Sequence, residues 1–371
     1  MKPEPAYRHG QPSSTAVLLV NLGTPDAATA PALRRYLAEF LSDPRVVEIP
    51  RAVWLPILHG VILRTRPAKS AAKYASVWMP EGSPLAVWTQ RQETALAQRL
   101  QMAGHPVLVR HAMRYGNPSI PSVLDGLRAD GATRILVLPL YPQYAAATTA
   151  SIGDKVGQWT AAARRVPELR FLGEYHDDPG YIQALAERVR AHWQAHGRGE
   201  KLVLSFHGVP ERSLHLGDPY HCQCYKTARL MCDSLGLGAD DVVVTFQSRF
   251  GKAKWLQPYT EPTLCELAAK GVKSVDVMCP GFVADCLETL EEIAQEARDA
   301  YLGAGGQTFN YVTCLNDAPG WIDALAALAL RHLQGWPTAA PDTPAGEAQA
   351  TREAAERDAQ RRRALDLGAT D

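Results

Sequence analysis

No stretch of this 371-residue chain reaches the ~18 uninterrupted apolar residues that a membrane-spanning helix requires. Neither charge is in excess: 39 Lys and Arg balance 39 Asp and Glu. That argues against nucleic acid as the main partner, because neutralising phosphates needs a basic surplus. Met1 to Ser14 is polar and Pro-bearing and lacks the apolar core of a secretory signal, so a cytoplasmic protein is expected. No G-x-x-x-x-G-K-[ST] loop occurs, so nothing points to ATP. No G-x-G-x-x-G opens a helix after the first apolar run, and H-E-x-x-H is absent. Seven Cys, an odd number in a long chain without a signal, read as reduced thiols rather than a disulfide framework.

What is present is an alternation. With 46% hydrophobic residues the chain can bury a full core, and its length suggests about two domains. Strand-type runs fall at Val17–Val20, Val107–Val109, Arg134–Leu138 and Leu169–Leu172, then at Leu202–Phe206, Val242–Phe246, Val275–Met278 and Asn310–Thr313. Amphipathic helical stretches lie between them, among them Pro31–Leu41, Thr89–Met102, Tyr181–Ala195 and Glu261–Ala269. This rhythm predicts an α/β fold of βαβ units. It groups into two Rossmann-like lobes, each a parallel four-stranded sheet flanked by helices, with a cleft between them. The expected divisions are a flexible N-terminus over 1–15, a first lobe over 16–177 and a second over 178–335. A tail over 338–371, rich in Ala, Pro and charge, is expected to be disordered or weakly helical. Residues 52–63 break the rhythm with Val53, Trp54, Leu55, Ile57, Leu58, Val61, Ile62 and Leu63. They read either as a buried connector or as an apolar lip over the cleft, and a lip would bring peripheral membrane contact.

The chemistry-bearing residues gather where strands end. Ser205-Phe206-His207-Gly208 follows Leu202-Val203-Leu204, so His207 is delivered to the carboxyl end of a parallel strand, where open α/β sheets bind ligands. Such a His accepts protons near neutral pH or ligates a borderline metal; a structural His is the competing reading. The first strand runs into Asn21-Leu22-Gly23-Thr24-Pro25, and Gly23 permits close approach of a ligand to the backbone. Arg114-Tyr115-Gly116 and Tyr141-Pro142-Gln143-Tyr144 follow the next two strands. Arg114 suits a carboxylate clamp, and the tyrosines offer flat faces with polar tips. Trp255 and Phe282, with Tyr115, suit a flat apolar ligand. After Cys279-Pro280-Gly281-Phe282 a helix carries Glu288, Glu292 and Glu296 at i, i+4 and i+8, on one face of an α-helix. Like charges so held repel unless a cation or proton joins them, which suggests a path for a cation; a solvated surface row is the competing reading.

These motifs together resemble the ferrochelatase family in its Gram-negative bacterial form, over roughly residues 16 to 335. The resemblance rests on Asn21-Leu22-Gly23-Thr24-Pro25-Asp26, Phe40-Leu41-Ser42-Asp43, Tyr74-Ala75-Ser76-Val77-Trp78 and Gly82-Ser83-Pro84-Leu85. It rests equally on Leu138-Pro139-Leu140-Tyr141-Pro142-Gln143-Tyr144, Ser205-Phe206-His207-Gly208, Phe246-Gln247-Ser248-Arg249-Phe250-Gly251, and Cys279-Pro280-Gly281-Phe282 through Glu288-Thr289-Leu290-Glu291-Glu292. It implies a lyase that inserts Fe²⁺ into protoporphyrin IX in haem biosynthesis. It places the metal-site His at His207 and its paired carboxylate at Glu288, with Glu292 and Glu296 continuing the row. It places the family's Arg-Tyr pair near the metal at Arg114 and Tyr115. The expected porphyrin contacts are Leu22, Arg114, Tyr115, Tyr141, Ser248, Trp255 and Phe282. The chain departs from animal members at Cys286, where they carry a His. Some members hold a [2Fe–2S] cluster on four Cys; Cys222, Cys224 and Cys232 with Cys265 or Cys286 are the available thiols, but their spacing is no firm signature. Ordinary reduced thiols are the expectation, with no cofactor beyond the substrate iron. Two rivals remain. A cobalt or sirohydrochlorin-type chelatase would show more cationic side chains in the cleft. A non-enzymatic haem carrier would need no acidic row.

Overall fold

The computed structural model describes residues 9–339 and 343–370. All eight expected runs are strands: β1 (Ser14–Thr24), β2 (Leu108–Gly116), β3 (Ala132–Pro139), β4 (Glu168–Phe171), β5 (Lys201–His207), β6 (Val242–Gln247), β7 (Ser274–Met278) and β8 (Thr308–Val312). They form two parallel four-stranded sheets, ordered β2-β1-β3-β4 and β6-β5-β7-β8. The second order repeats the first. In each sheet the chain leaves a central strand toward one edge and returns on the other side, so β1/β3 and β5/β7 are topological switch points. The crevice outside the carboxyl ends of such strands is the ligand position of open α/β sheets.

Burial follows the period of two that a pleated strand dictates. On β1, Ala16, Leu18 and Val20 join one apolar cluster with the helices Ile120–Ala129 and Ser151–Ala162. Val17 and Leu19 point the other way into a larger cluster. That cluster also contains Leu136 and Leu138 of the first sheet, Leu202, Leu204 and Phe206 of the second, and Trp321 and Leu325 of the helix Pro319–His332. The two sheets therefore share one continuous core. The helix Pro319–His332 follows β8 yet packs on Pro84–Met102 of the first half as well as on Pro179–His196.

Three segments differ from the sequence expectation. Ser14 and Thr15 belong to β1 and not to a loose N-terminus, and Thr15 Oγ1 donates to the Pro337 carbonyl at 2.8 Å; residues 1–8 lie outside the described part. The tail, expected to be disordered or weakly helical, holds a 23-residue helix, Pro344–Asp366. Ala, Glu, Gln and Arg favour a helix without a core to dock on, and the Thr343 hydroxyl caps it by accepting from the Gly346 N–H at 3.0 Å. Residues 340–342 and 371 are outside the described part. The 52–63 segment is helical throughout and divides its apolar side chains. Trp54, Leu58 and Leu63 are buried against Leu41 and Val47, and Trp54 Nε1 donates to the Leu41 carbonyl at 2.6 Å. Val53, Ile57 and Val61 stay exposed, with Ile49 beside them in sequence. One face is thus a buried connector and the other an exposed apolar face.

Candidate active site

A cleft lies where the switch points of the two sheets meet. Its wall is built from Asn21–Thr24 at the end of β1, Tyr141 after β3, Phe282 and Cys286–Glu288 after β7, and Tyr74 and Ser83–Leu85 from the connecting helices. It is lined mainly by apolar atoms, as ligand clefts are.

His207 ends β5 with its ring 6.3 Å from Phe282 and 6.5 Å from Trp255, centroid to centroid. Its Nδ1 lies 2.6 Å from the Gly208 carbonyl oxygen. A carbonyl only accepts, so Nδ1 carries the proton and Nε2 presents a lone pair. This assigns the tautomer from the hydrogen bond and leaves one nitrogen as a base or ligand. Gly208 has no room for a side chain: a Cβ there would lie 2.7 Å from the Gln247 carbonyl oxygen.

Gln247 and Ser248, at the end of β6, secure the carboxylates. Gln247 Oε1 accepts from Ser205 Oγ at 2.8 Å, and its Nε2 donates to the Glu288 carbonyl at 2.8 Å. Ser248 sits at φ 63°, a left-handed conformation uncommon outside glycine. There both its N–H, at 2.6 Å, and its hydroxyl, at 2.5 Å, donate to Glu292. Burial pushes the Glu292 carboxyl above the usual carboxylate range. The two Ser248 bonds and His207 oppose that rise, and Glu288 adds to it. Both His207 and Glu288 therefore act electrostatically on Glu292.

The acidic row does not lie on the α-helix that the sequence suggests. Residues Glu288–Ala297 form a π-helix, whose hydrogen bonds span five residues rather than four. Residues four apart stay close to one line in it, and residues five apart become neighbours. Glu291 and Glu296 both bind the Lys73 ammonium, Glu296 at 2.8 Å and Glu291 at 2.9 Å. Glu288 lines the cleft, Glu292 is tied to Ser248, and Glu296 is half exposed on Lys73. Among the described residues, no three His, Cys, Asp or Glu side chains gather closely enough to hold a metal ion. His207, Glu288, Glu292 and Glu296 are thus no closed ligand set.

Of the other expected contacts, Leu22, Tyr141 and Phe282 line the cleft. The Tyr141 hydroxyl is buried without a hydrogen-bond partner among the described residues. Trp255 is next to His207, while Ser248 is committed to Glu292. Arg114 and Tyr115 are placed differently from the expectation. Tyr115 has no solvent exposure, and its hydroxyl donates to Asp43 at 2.8 Å. Arg114 pairs with the same carboxylate and donates to the Ser151 hydroxyl at 2.6 Å. They brace the wall from behind, because Asp43 draws both inward. Gly23 lines the cleft and has no room for a side chain on its protein side: a Cβ there would lie 1.8 Å from the Tyr115 carbonyl oxygen, at φ 111°. Asp43, Ser151, Gln247 and Lys73 carry no role in the sequence reading. Asp43 and Gln247 lie inside quoted motifs, whereas Lys73 has no local signal.

Cys222 is exposed and Cys224 buried, two positions apart on the helix Tyr220–Leu235, so they point to different sides. Cys286 is buried in the cleft wall with Leu85.

The sequence model of the ferrochelatase family matches residues 14–333. A ferrochelatase of Methylibium petroleiphilum is 70% identical over 94% of this chain and 97% of that protein. A ferrochelatase of a Polaromonas species is 67% identical over 91% of this chain and 94% of its own. Among solved structures, SirB from Bacillus subtilis with Fe³⁺ superposes with a TM-score of 0.52 at 12% identity, over 86% of this chain and 95% of that one, a likeness of fold. With the family pattern spanning both sheets and relatives this similar over nearly their whole length, the chain belongs to the ferrochelatase family.

Proposed function

We propose that His207 and Glu288 carry out the insertion of Fe²⁺ into protoporphyrin IX, the reaction of this chelatase lyase family. The observation that carries the assignment is the fixed tautomer of His207. Its Nδ1–H is engaged by the Gly208 carbonyl, so Nε2 is free to take a proton at the mouth of β5. Insertion replaces two pyrrole N–H protons by one Fe²⁺, so two protons must leave as the iron sheds its waters. Nε2 of His207 accepts one pyrrole proton as general base, and the carboxylate of Glu288, held by the Gln247 amide through its backbone, takes the other. Leu22, Tyr141, Trp255 and Phe282 hold the flat macrocycle. Binding along that apolar wall offsets the bending that turns pyrrole lone pairs toward the metal. Glu292, tied by two Ser248 bonds, supports Glu288 and is not itself free to travel with iron.

His207→Ala should lower turnover by about 10²–10⁴-fold with the fold intact. Glu288→Gln should lower turnover strongly while porphyrin affinity, read by fluorescence quenching, is largely kept. Near wild-type turnover in either variant overturns the role assigned to that residue. The rivals separate in the same assay: Fe²⁺, Co²⁺ and Zn²⁺ offered with protoporphyrin and with a multiply carboxylated ring. The apolar wall favours protoporphyrin.

Among the described residues no helix is long and apolar enough to cross a membrane. Peripheral contact is part of the proposal, through exposed Val53, Ile57 and Val61. A greasy rim eases transfer of poorly soluble porphyrin and haem.

A further inference from the structure

One side chain from the other half of the molecule bridges two residues of Glu288–Ala297 that an α-helical winding would hold apart. Lys73 lies on the helix Leu63–Val77, which precedes the first sheet's second strand. Its ammonium reaches both oxygens of Glu291, at 2.9 and 3.0 Å, and Glu296 at 2.8 Å. In an α-helix, residues five apart are turned about 140° from each other, and one ammonium would not bridge them. In a π-helix, whose hydrogen bonds span five residues, they are neighbours. Rewinding to an α-helix would part them and turn Glu292 and Glu296 away from their present directions. Glu291 is 10% exposed, against 50% for Glu296, so the clamp has one buried jaw and one open one. Gln247 and Ser248 grip the segment from the cleft side, at the Glu288 carbonyl and the Glu292 carboxylate. Lys73 grips it from the other side.

We infer that Lys73 is a positioning residue for the reaction: by bridging Glu291 and Glu296 it holds residues 288–297 in the wide winding and so sets Glu288 and Glu292 toward the cleft. This rests on the reading that Glu288 serves the reaction.

The test is Lys73→Met, which keeps length and removes charge, beside Lys73→Arg. In K73M, amide hydrogen exchange over 288–297 should quicken while β5 and β7 keep their protection. Turnover with Fe²⁺ should fall about 10- to 100-fold, as misplacement of a reacting group does, with KM for porphyrin changed less than about twofold. K73R should recover most of the turnover and the slow exchange. Adding Glu296→Gln to K73M should cost little more, since the two act on one contact. Unchanged exchange, or unchanged turnover, in K73M overturns the inference. So does a loss of turnover that K73R does not repair. If Glu288→Gln proves fully active while K73M still loosens 288–297, the role of Glu288 fails and the clamp on the winding stands.

Discussion

Asp43 gathers four donors behind the cleft. The Tyr115 hydroxyl, the Ser151 hydroxyl at 2.6 Å, the Arg45 N–H at 2.8 Å and the Arg114 guanidinium all turn to it. Burial works to raise its carboxyl, but these donors and the Arg114 charge outweigh burial and hold it below the usual range. A carboxyl depressed in the folded state stabilises the fold above its unfolded value of ~3.9, and that contribution fades as pH falls through the folded value. Asp43→Asn should therefore cost roughly 3 kcal/mol at pH 7, as breaking a buried ion pair does. Denaturant unfolding of the two proteins should converge as pH drops below about 4. A difference that persists undiminished at low pH would mean that the loss comes from packing and not from charge. The same residue explains why Arg114 and Tyr115 do not present themselves to the cleft: a buried carboxylate is a stronger partner than solvent.

At the scale of elements, the 51–77 region shows how one apolar run serves two purposes. Helical periodicity places Trp54, Leu58 and Leu63 inward and Val53, Ile57 and Val61 outward, across a π-helical turn at Leu58–Ile62. Leu58 is fully buried, so Leu58→Ala should destabilise by roughly 2–5 kcal/mol. Replacing Val53, Ile57 and Val61 together by Ser should change stability by no more than about 0.5 kcal/mol per site, as exposed substitutions do, while weakening co-sedimentation with liposomes. Unfolding of the triple variant, or undiminished liposome binding, would remove the membrane role of that face. The helix also meets the second half directly. Arg66 lies over the Phe250 ring at 4.7 Å, and Arg212 pairs with Glu48. The outer rim of the cleft is thus shared by both halves.

Across the whole molecule, the two sheets repeat one topology but do not make two separate cores. Gln92, in the helix Pro84–Met102, donates to the Asn316 carbonyl at 2.7 Å and the Val283 carbonyl at 3.0 Å. Asn21 Nδ2, at the end of β1, donates to Thr89 of the same helix at 3.0 Å. The first sheet's switch point is thereby tied to the loops that follow β7 and β8. Since Val17, Leu136, Leu204 and Trp321 share one cluster, residues 9–339 should unfold in a single calorimetric transition. Two resolved peaks would show that the lobes are thermodynamically independent.

Sequence alone determined the strands and their parallel arrangement, because apolar runs of four to eight residues spaced by helical stretches admit few alternatives. It also delivered His207 and Phe282 to strand ends, since motif position and strand position coincide there. Tertiary structure decided what spacing does not encode. The spacing of Glu288, Glu292 and Glu296 reads as a row on an α-helix of 3.6 residues per turn; the segment is a π-helix, and Glu296 pairs with Lys73, more than 200 residues away in the chain. Arg114 and Tyr115 look like cleft residues until Asp43, 72 positions before Tyr115, supplies a buried partner. Whether a polar side chain faces a substrate or a protein partner depends on where the nearest compensating charge lies in space, and that is set by how the two sheets pack.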